Sequence, residues 1–424
     1  MLIIHQPNLK SMKIKNLLLF ILTLAGVQSF AQITISGELR PRAEYRNGYK
    51  TLTPNDVDAA LFVSQRTRLN TEFITENYTF FVSIQDVRVW GDVQQLNTSD
   101  KNGISIHEAW GKIKFSPNFS AKFGRQEIIY DDSRMFGNVG WTQQARSHDA
   151  AIFQFGNENY KLDLGVAYNQ DQEALFGNLY TVSGNYKAMQ YAWFHKDWSN
   201  FNASFLILNN GLQNIDADEI RYSQTYGTHL KYKPSDVLSF NANAYLQAGK
   251  DVLNNDLSDY LVGLDLGYNL SEKFDLGLGF EIQSGNDYNS TGNKNKAFTP
   301  FYGTNHKFNG FMDYFYVGNH INSVGLVDIN AKIASKLGVK SSITAIVHNF
   351  SAQADIAEGV DKQLGTEIDL VYSHKLNKDV VIGAGYSQMF ASEGLEVIKN
   401  NSDGNINNWA WLMITVKPTL FSSK

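Results

Sequence analysis

The chain has 424 residues and a formal net charge of −5 at pH 7, and it contains no cysteine. The absence of cysteine excludes disulfides, thiol catalysis and a lipoprotein anchor. Aromatic residues make up 13% of the chain and only seven prolines occur, a balance that suits a membrane protein with aromatic belts at two interfaces.

The N-terminus has the pattern of a secretory signal. Several lysines precede an apolar run at 17–25, and Ala31 ends a small-x-small cleavage motif. The apolar run is too short to span a bilayer. We therefore predict a cleavable signal peptide over residues 1–31 and one domain over residues 32–424.

The first predicted strand, 33–46, separates into two faces. Its even positions are polar or charged and include Arg40 and Arg42, whereas its odd positions include Ile35 and Leu39. Successive strand residues point to opposite sides of a sheet. A cation at the middle of a lipid-facing surface costs about 2–4 kcal/mol, so the charged face should point into a lumen.

The same rhythm continues to the C-terminus, with short turns such as 75–78 alternating with long polar loops such as 128–144. It predicts an all-β protein, a closed antiparallel up-and-down transmembrane β-barrel with short periplasmic turns and long extracellular loops. We count about eighteen strands, and sixteen or twenty remain possible because part of 308–318 could form another. The predicted strands span 33–46, 61–75, 78–90, 104–116, 119–128, 145–156, 159–170, 183–196, 199–209, 221–233, 236–249, 256–270, 273–284, 321–336, 337–350, 361–376, 378–392 and 405–418.

A soluble β-sandwich or propeller is the alternative, and a soluble barrel would place its apolar residues inside. Periodicity alone does not separate these cases, but size does. A ring of about eighteen strands encloses more space than side chains can fill, so its lumen must be wet.

Nine of the ten arginines lie before residue 150. On neighbouring strands the cations form a ladder, and cationic rings select anions in pores because guanidinium groups grip carboxylates. In the alternative interpretation, these cations pair with wall carboxylates such as Glu38, Glu44 and Glu72. The candidate path and selectivity residues are Arg40, Arg42, Arg66, Arg68, Arg88, Lys112, Lys122, Arg125, Arg134 and Arg146.

The segment Gly-Arg-Gln at 124–126, the loop residue Arg134, the aromatic Trp141 and the returning Arg146 resemble the alginate-export family of outer-membrane barrels. The resemblance covers about residues 33–155 and extends more loosely along the chain. It implies an eighteen-stranded barrel that passes an acidic polysaccharide through an Arg-lined lumen. This chain departs from that pattern by interleaving its cations with many carboxylates. The lumen contacts that the resemblance implies are Arg40, Arg42, Arg66, Arg68, Arg125, Arg134 and Arg146.

The longest loop, 285–320, is rich in phenylalanine and tyrosine. Its length and aromatic content predict either a constriction or plug inside the pore, or a loop packed against its neighbours above the membrane. Aromatic faces in such a loop could also stack on sugar rings.

Enzymatic readings have little support. Ser147, His148 and Asp149 have the residue types of a triad, but consecutive strand residues point apart. Asp131 and Asp132 lack the rest of a calcium-binding loop. We therefore expect no catalytic residues, no metal and no cofactor.

These patterns predict a passive channel in the bacterial outer membrane for anionic oligo- or polysaccharide. The first alternative is a general porin for small solutes, and a barrel-embedded hydrolase is a weaker one. The expected partners are an anionic carbohydrate and membrane lipid, without nucleic acid. A periplasmic partner, the direction of transport and the oligomeric state are left open.

Overall fold

The computed structural model of the protein describes residues 31–320, 323–401 and 406–423. The predicted signal peptide lies outside the described residues except for Ala31. Within the described part of the chain, no helix is long and apolar enough to cross a membrane.

Among the residues that the structure describes, eighteen antiparallel strands form one closed wall, which confirms the predicted barrel. Each wall strand pairs with the next, and the ring closes where Leu39 lies opposite Val416. Two short strands are not counted in the wall: β14 lies beside β12, and β20 resumes pairing with β1 after Pro418. The strands are β1 Gln32–Asn47, β2 Ala60–Ile74, β3 Tyr78–Val89, β4 Ser105–Ser116, β5 Phe119–Gln126, β6 His148–Gly156, β7 Tyr160–Tyr168, β8 Ala188–Asp197, β9 Phe201–Asn214, β10 Glu219–Tyr232, β11 Leu238–Lys250, β12 Asp256–Asn269, β13 Phe274–Gln283, β14 Lys294–Asn295, β15 Leu326–Lys336, β16 Ser341–Ser351, β17 Gln363–Lys375, β18 Val380–Ala391, β19 Asn407–Val416 and β20 Thr419–Ser422.

Most strand ends lie within a few residues of the prediction. The largest differences are five residues, at the start of β8 and at the end of β9, where the ladder continues to Asn214. The strand predicted from 321 begins at Leu326, and the predicted strand residues 321, 322 and 405 lie outside the described residues. The segment 308–318 is not a strand, because its backbone forms turns and the start of a short helix. The ends of a strand depend on how far it pairs with its neighbours. The residue pattern of a single strand does not contain that information.

The two faces of the wall are as the alternation predicts. In β1, Leu39 and Tyr45 are each 41% exposed on the outside, whereas Arg40 and Arg42 on the opposite face are 6% and 4% exposed. In β12, Leu264 is 53% exposed on the outside. The apolar outer face suits membrane hydrocarbon, and the polar face surrounds the interior.

Two long loops occupy the interior. Inner loop A is residues 127–147, between β5 and β6, and inner loop B is residues 284–320, between β13 and β15. Loop B contains a 3₁₀ turn, Asn305–Lys307, and ends with helix α1, Val317–His320. A second helix, α2 Glu393–Lys399, lies between β18 and β19.

Apolar residues of the two loops pack on inward-facing side chains of the wall. Phe136 of loop A and Phe298 of loop B join one buried cluster with Leu208 and Leu261. Met312 of loop B joins a second cluster on the β16–β19 side. The aromatic loop therefore enters the barrel, which is the first of the two arrangements considered for it.

Candidate functional site

Inner loop A crosses the interior from one side of the wall to the other. The carbonyl oxygen of Trp141 accepts a hydrogen bond from Arg42 of β1 at 2.7 Å. Arg134, in the same loop, reaches Glu281 of β13, with Nε–Oε2 at 2.8 Å and Nη2–Oε1 at 2.6 Å. Since β1 and β13 are separated by several strands in either direction around the ring, the loop narrows the lumen.

Four of the five arginines of β1 and β2 hold one part of loop A. We define the basic cluster as Arg40, Arg42, Arg66 and Arg68. Arg40 donates from Nη1 to the carbonyl oxygen of Gly140 at 2.7 Å and from Nη2 to that of Thr142 at 2.9 Å. Arg66 reaches the carbonyl oxygen of Gln143 at 3.3 Å. These side chains face the interior, and their donors are directed at the loop backbone.

Carboxylates of β1 balance the basic cluster. Arg66 Nη2 lies 2.6 Å from Glu38 Oε1, and Arg42 Nε lies 2.9 Å from Glu44 Oε1. All four side chains are buried. A buried guanidinium needs such a partner, because an unpaired buried charge is strongly destabilising. Pairing with Glu38 and Glu44 is the alternative that the sequence left open for these cations.

Lys112 and Lys122 are cross-strand neighbours on β4 and β5. Lys112 lies opposite Thr79, one position from the outward-facing Phe80, so it points to the interior. The Lys122 ammonium lies 4.1 Å from the ring centroid of Trp110. These lysines lie nearer the short turns than the basic cluster does.

Two predicted path residues lie on the outside of the wall. Arg88 lies opposite Gln65, on the face that carries the exposed Leu69, and it pairs with Asp86 and Asp100. We therefore correct its interior assignment. Charges are tolerated on the outer face near a strand's outer end, because the cost of a lipid-facing charge falls toward the interface.

Arg125 is the second correction. It shares its side of β5 with Phe123, which is 47% exposed, and its Nη1 lies 2.8 Å from Oδ2 of Asp149 on β6. The Arg125 and Asp149 side chains are 45% and 59% exposed. Arg125 lies in the segment that resembles the export family, but the resemblance does not indicate which side of the wall its side chain occupies.

The remaining two predicted residues fasten loop A to loop B. Arg134 is 1% exposed, and it donates to Asn305 at 2.9 Å as well as to Glu281. Arg146 donates from Nη1 to the carbonyl oxygen of Gly303 at 3.1 Å. Burial lowers the pKa of Arg146 to about 10.

Backbone contacts also join the two loops, and strain accompanies them. The backbone amide of Gly137 donates to the carbonyl oxygen of Tyr302 at 2.8 Å, and the amide of Thr304 donates to that of Ser133 at 2.9 Å.

The backbone of loop A is strained at Val139. Its φ is 50°, a conformation that is costly for a β-branched residue. Strained backbone of this kind persists where the surrounding structure fixes it, often at functional constrictions.

A chamber of about 770 Å³ lies on the opposite side of the interior from the basic cluster, against β8–β16 and the two loops. It extends to the short turn between β12 and β13, where Asn269 and Asp275 line it. Its carboxylates are Asp131, Asp132, Asp265, Asp275, Glu281 and Asp328, and its lysines are Lys231, Lys307 and Lys332. Carboxylates therefore outnumber lysines six to three, an acidic surface that the sequence prediction missed.

The acidic residues of loop A are engaged by the wall. Asp131 Oδ2 accepts from Trp193 at 3.0 Å, and Asp132 Oδ2 accepts from Asn243 at 2.6 Å. Burial raises the pKa of Asp131. Burial also opposes ionisation of Glu127, but hydrogen bonds with His107 and Asn138 outweigh it and lower its pKa.

The three consecutive residues with triad chemistry do not converge. Ser147 donates to the carbonyl oxygen of His107 at 2.5 Å, His148 lies beside Tyr186, and Asp149 faces outward. A nucleophile, base and orienting acid would have to meet at one point.

Comparison with known proteins identifies the family. The sequence profile described as "Alginate export" matches residues 31–403. Among curated proteins, none matches this chain.

Solved structures show the same fold at low sequence identity. The chain resembles Acinetobacter baumannii OccAB3 with a TM-score of 0.63 and 11% identity, over 92% of this chain and 99% of that one. It resembles Pseudomonas aeruginosa OpdL with a TM-score of 0.62 and 12% identity, again over 92% and 99%. For P. aeruginosa OpdQ the TM-score is 0.60 and the identity 14%, over the same shares.

The family match covers most of the chain, and the structural matches cover nearly all of each barrel. The eighteen-stranded wall agrees with the fold that the structural matches show. This chain therefore belongs to the alginate-export family of outer-membrane β-barrel channels.

Proposed function

We propose that the barrel is a passive channel for an anionic oligo- or polysaccharide, which crosses along the wall formed by β1–β5. The family supports a carbohydrate solute. The interior cations on this wall support an acidic one, because lysine and arginine favour anions in a pore.

The observation that carries this proposal is the pair Lys112 and Lys122, together with the basic cluster farther along the same wall. The arginines are largely engaged by loop A and by carboxylates. The lysines are the better candidates for direct contact with a passing carboxylate, since neither forms an ion pair among the described residues.

Passage by this mechanism needs no energy source. The wet lumen removes the hydrocarbon barrier, and interior cations raise the local concentration of anions. Carboxylates elsewhere in the lumen keep binding weak enough for release. Loop A limits the cross-section, so an extended chain would pass more readily than a compact solute.

Planar-bilayer recordings test the proposal. We expect uronate oligomers to reduce the ionic current reversibly, and neutral oligomers of equal length to reduce it much less. Equal block by both would argue against an acidic solute, and no block by either would argue against a saccharide path.

The second candidate is a general porin for small solutes, and the chamber favours it. Cations lie on one side of the interior, and an excess of carboxylates lies on the other. Such an arrangement produces a transverse field that orients small polar solutes without selecting a sugar. Insensitivity of the current to every oligosaccharide, with free passage of small ions, would favour this alternative.

A further inference from the structure

A β-bulge in β4 turns two consecutive side chains toward the interior beside the start of loop A. In the β3–β4 pairing, Ser83 lies opposite Glu108 and Ile84 lies opposite Ile106, so His107 is an extra residue. Bulges often occur next to functional sites, where they re-aim a side chain. His107 is 3% exposed, whereas Ile106 is 44% exposed on the outer face.

Three potential metal ligands converge at this bulge. His107 Nε2 lies 2.7 Å from Glu127 Oε1, and Glu108 Oε2 accepts a hydrogen bond from the Glu127 amide at 2.9 Å. One ligand atom from each of the three residues lies within 4.8 Å of the other two. Among the described residues, this is the group with such a convergence of histidine and carboxylate ligands.

Ser147 lies against the Nδ1 side of the His107 ring, and Glu127 lies against the Nε2 side. The Ser147 hydroxyl donates its hydrogen to the carbonyl oxygen of His107 at 2.5 Å, so its oxygen can accept from Nδ1–H at 3.1 Å. In the tautomer with Nδ1–H, Nε2 has a lone pair that faces the Glu127 carboxylate and can ligate a metal ion. In the other tautomer Nε2–H donates to Glu127 at 2.7 Å, and a metal ion that binds there displaces this proton.

Hydrogen bonds also orient the carboxylates of Glu108 and Glu127. Asn138 donates to Glu127 Oε2 at 2.8 Å, and the Trp110 indole donates to Glu108 Oε2 at 3.1 Å. Each contact leaves a second carboxylate oxygen or lone pair for a metal ion. Supporting hydrogen bonds of this kind commonly fix the ligands of metal sites.

The local charge permits a divalent ion. Glu108 and Glu127 contribute two negative charges, and one guanidinium lies near, with Arg68 Nη1 3.9 Å from Glu127 Oε1. The Glu127 side chain is 18% exposed, which leaves a route for an ion to enter.

We propose that His107, Glu108 and Glu127 bind a divalent transition-metal ion of the Zn²⁺ class. One imidazole nitrogen and two carboxylate oxygens suit Zn²⁺, whereas Ca²⁺ and Mg²⁺ prefer oxygen ligands alone. The ion would fasten the first residue of loop A to β4, and Ser147 at the loop's other end supports the same histidine. This site is independent of which solute the channel passes.

The competing explanation is a metal-free hydrogen bond, in which Nε2–H of His107 donates to Glu127. Zinc titration of the untagged, purified barrel in detergent separates the two. We expect one Zn²⁺ per chain by calorimetry, with little heat from Mg²⁺ or Ca²⁺. Wild-type protein that takes up no stoichiometric Zn²⁺ would overturn the proposal in favour of the metal-free hydrogen bond.

Variants locate the ion. His107→Gln and Glu127→Gln should each weaken zinc binding by about a hundredfold or more, since each removes a ligand, and Ser147→Ala by about ten- to a hundredfold. His374→Gln is the matched control, because His374 also bonds a serine, Ser341 at 2.7 Å, but lies far along the chain near a short turn.

Each variant is first checked for barrel folding by its heat-dependent mobility on gels. Ser147→Ala and Glu127→Gln lie in loop A, so they keep the test available if His107→Gln does not fold. Unchanged zinc affinity in Glu127→Gln, or equal loss in His374→Gln, would contradict the assignment.

Discussion

The two sides of the interior use charge in different ways. On the β1–β5 side, the basic cluster directs its donors at loop A and at Glu38 and Glu44, so most of its charge is engaged. On the β8–β16 side, carboxylates such as Asp265 and Asp275 line an open chamber of about 770 Å³. The first side holds the constriction, and the second side leaves space beside it.

Charged interior residues therefore have two roles, which are to position loop A and to face a passing solute. The sequence pattern does not distinguish these roles. Buried arginines that are saturated by loop carbonyls act in positioning, because they have few donors left for a solute. Residues that face water inside the lumen, namely Lys112 and Lys122 on one side and Asp265 and Asp275 on the other, set the field that a passing ion experiences. Mutations on the two sides should therefore change different properties.

Replacing Arg134 should have the largest effect on stability. Arg134→Met leaves the Glu281 carboxylate buried without its partner, so we expect the free energy of unfolding to fall by about 3–5 kcal/mol. The double variant Arg134→Met/Glu281→Gln should recover about half of that loss, because the unpaired charge is gone. Urea unfolding in detergent measures both. Equal losses in the single and double variants would show that the ion pair is not the cause.

Removing the constriction should have the largest effect on current. If a short glycine-serine link replaces residues 130–146, the conductance should rise roughly twofold or more, since eighteen strands enclose a wide wet lumen. Replacing loop 91–103 by the same link is the control and should leave the conductance near the wild-type value. An unchanged conductance after removal of loop A would mean that the loop does not limit the pore.

The architecture could be predicted because one physical rule applies along the whole chain. The alternation of Arg40 and Arg42 with Leu39 fixes which face of β1 is polar, and repetition of that pattern gives the strand number. Near a strand's outer end the rule weakens, since an outward charge costs little there. That is why the sequence pattern places Arg88 and Arg125 on the wrong side of the wall.

The interior arrangement could not be predicted from local pattern. Asp265 and Glu281 alternate correctly along their strands, but nothing near them in sequence indicates that Asp131 and Asp132 of loop A lie against the same chamber. Asp131 and Asp132 precede Asp265 and Glu281 by more than 100 positions in the sequence. The aromatic content of loop B did indicate an unusual loop, though not its ion pairs and hydrogen bonds.

Neutralising the chamber should shift selectivity by a smaller amount. Asp265→Asn together with Asp275→Asn should raise the anion-to-cation permeability ratio about twofold, because a unit charge about 8 Å from an ion in water contributes roughly 0.5 kcal/mol. The reversal potential in a salt gradient measures this ratio. A shift toward cations, or none, would show that these carboxylates do not face the conducting path.

The smallest predicted effect concerns the strained backbone of loop A. Val139→Gly should raise the free energy of unfolding by about 1 kcal/mol, since glycine accepts a positive φ without steric cost. Val139→Ala keeps most of the strain and serves as the matched control. Equal stability of the glycine and alanine variants would mean that this φ stores no appreciable strain.

The most direct test of the charged path compares interior lysines with outer arginines. Lys112→Glu/Lys122→Glu should lower the anion-to-cation permeability ratio about threefold and weaken block by uronate oligomers. Arg88→Glu/Arg125→Glu reverses the same number of charges on the outer face and should change neither property. An unchanged reversal potential in the lysine variant, or an equal shift in the arginine variant, would contradict an anion path along β1–β5.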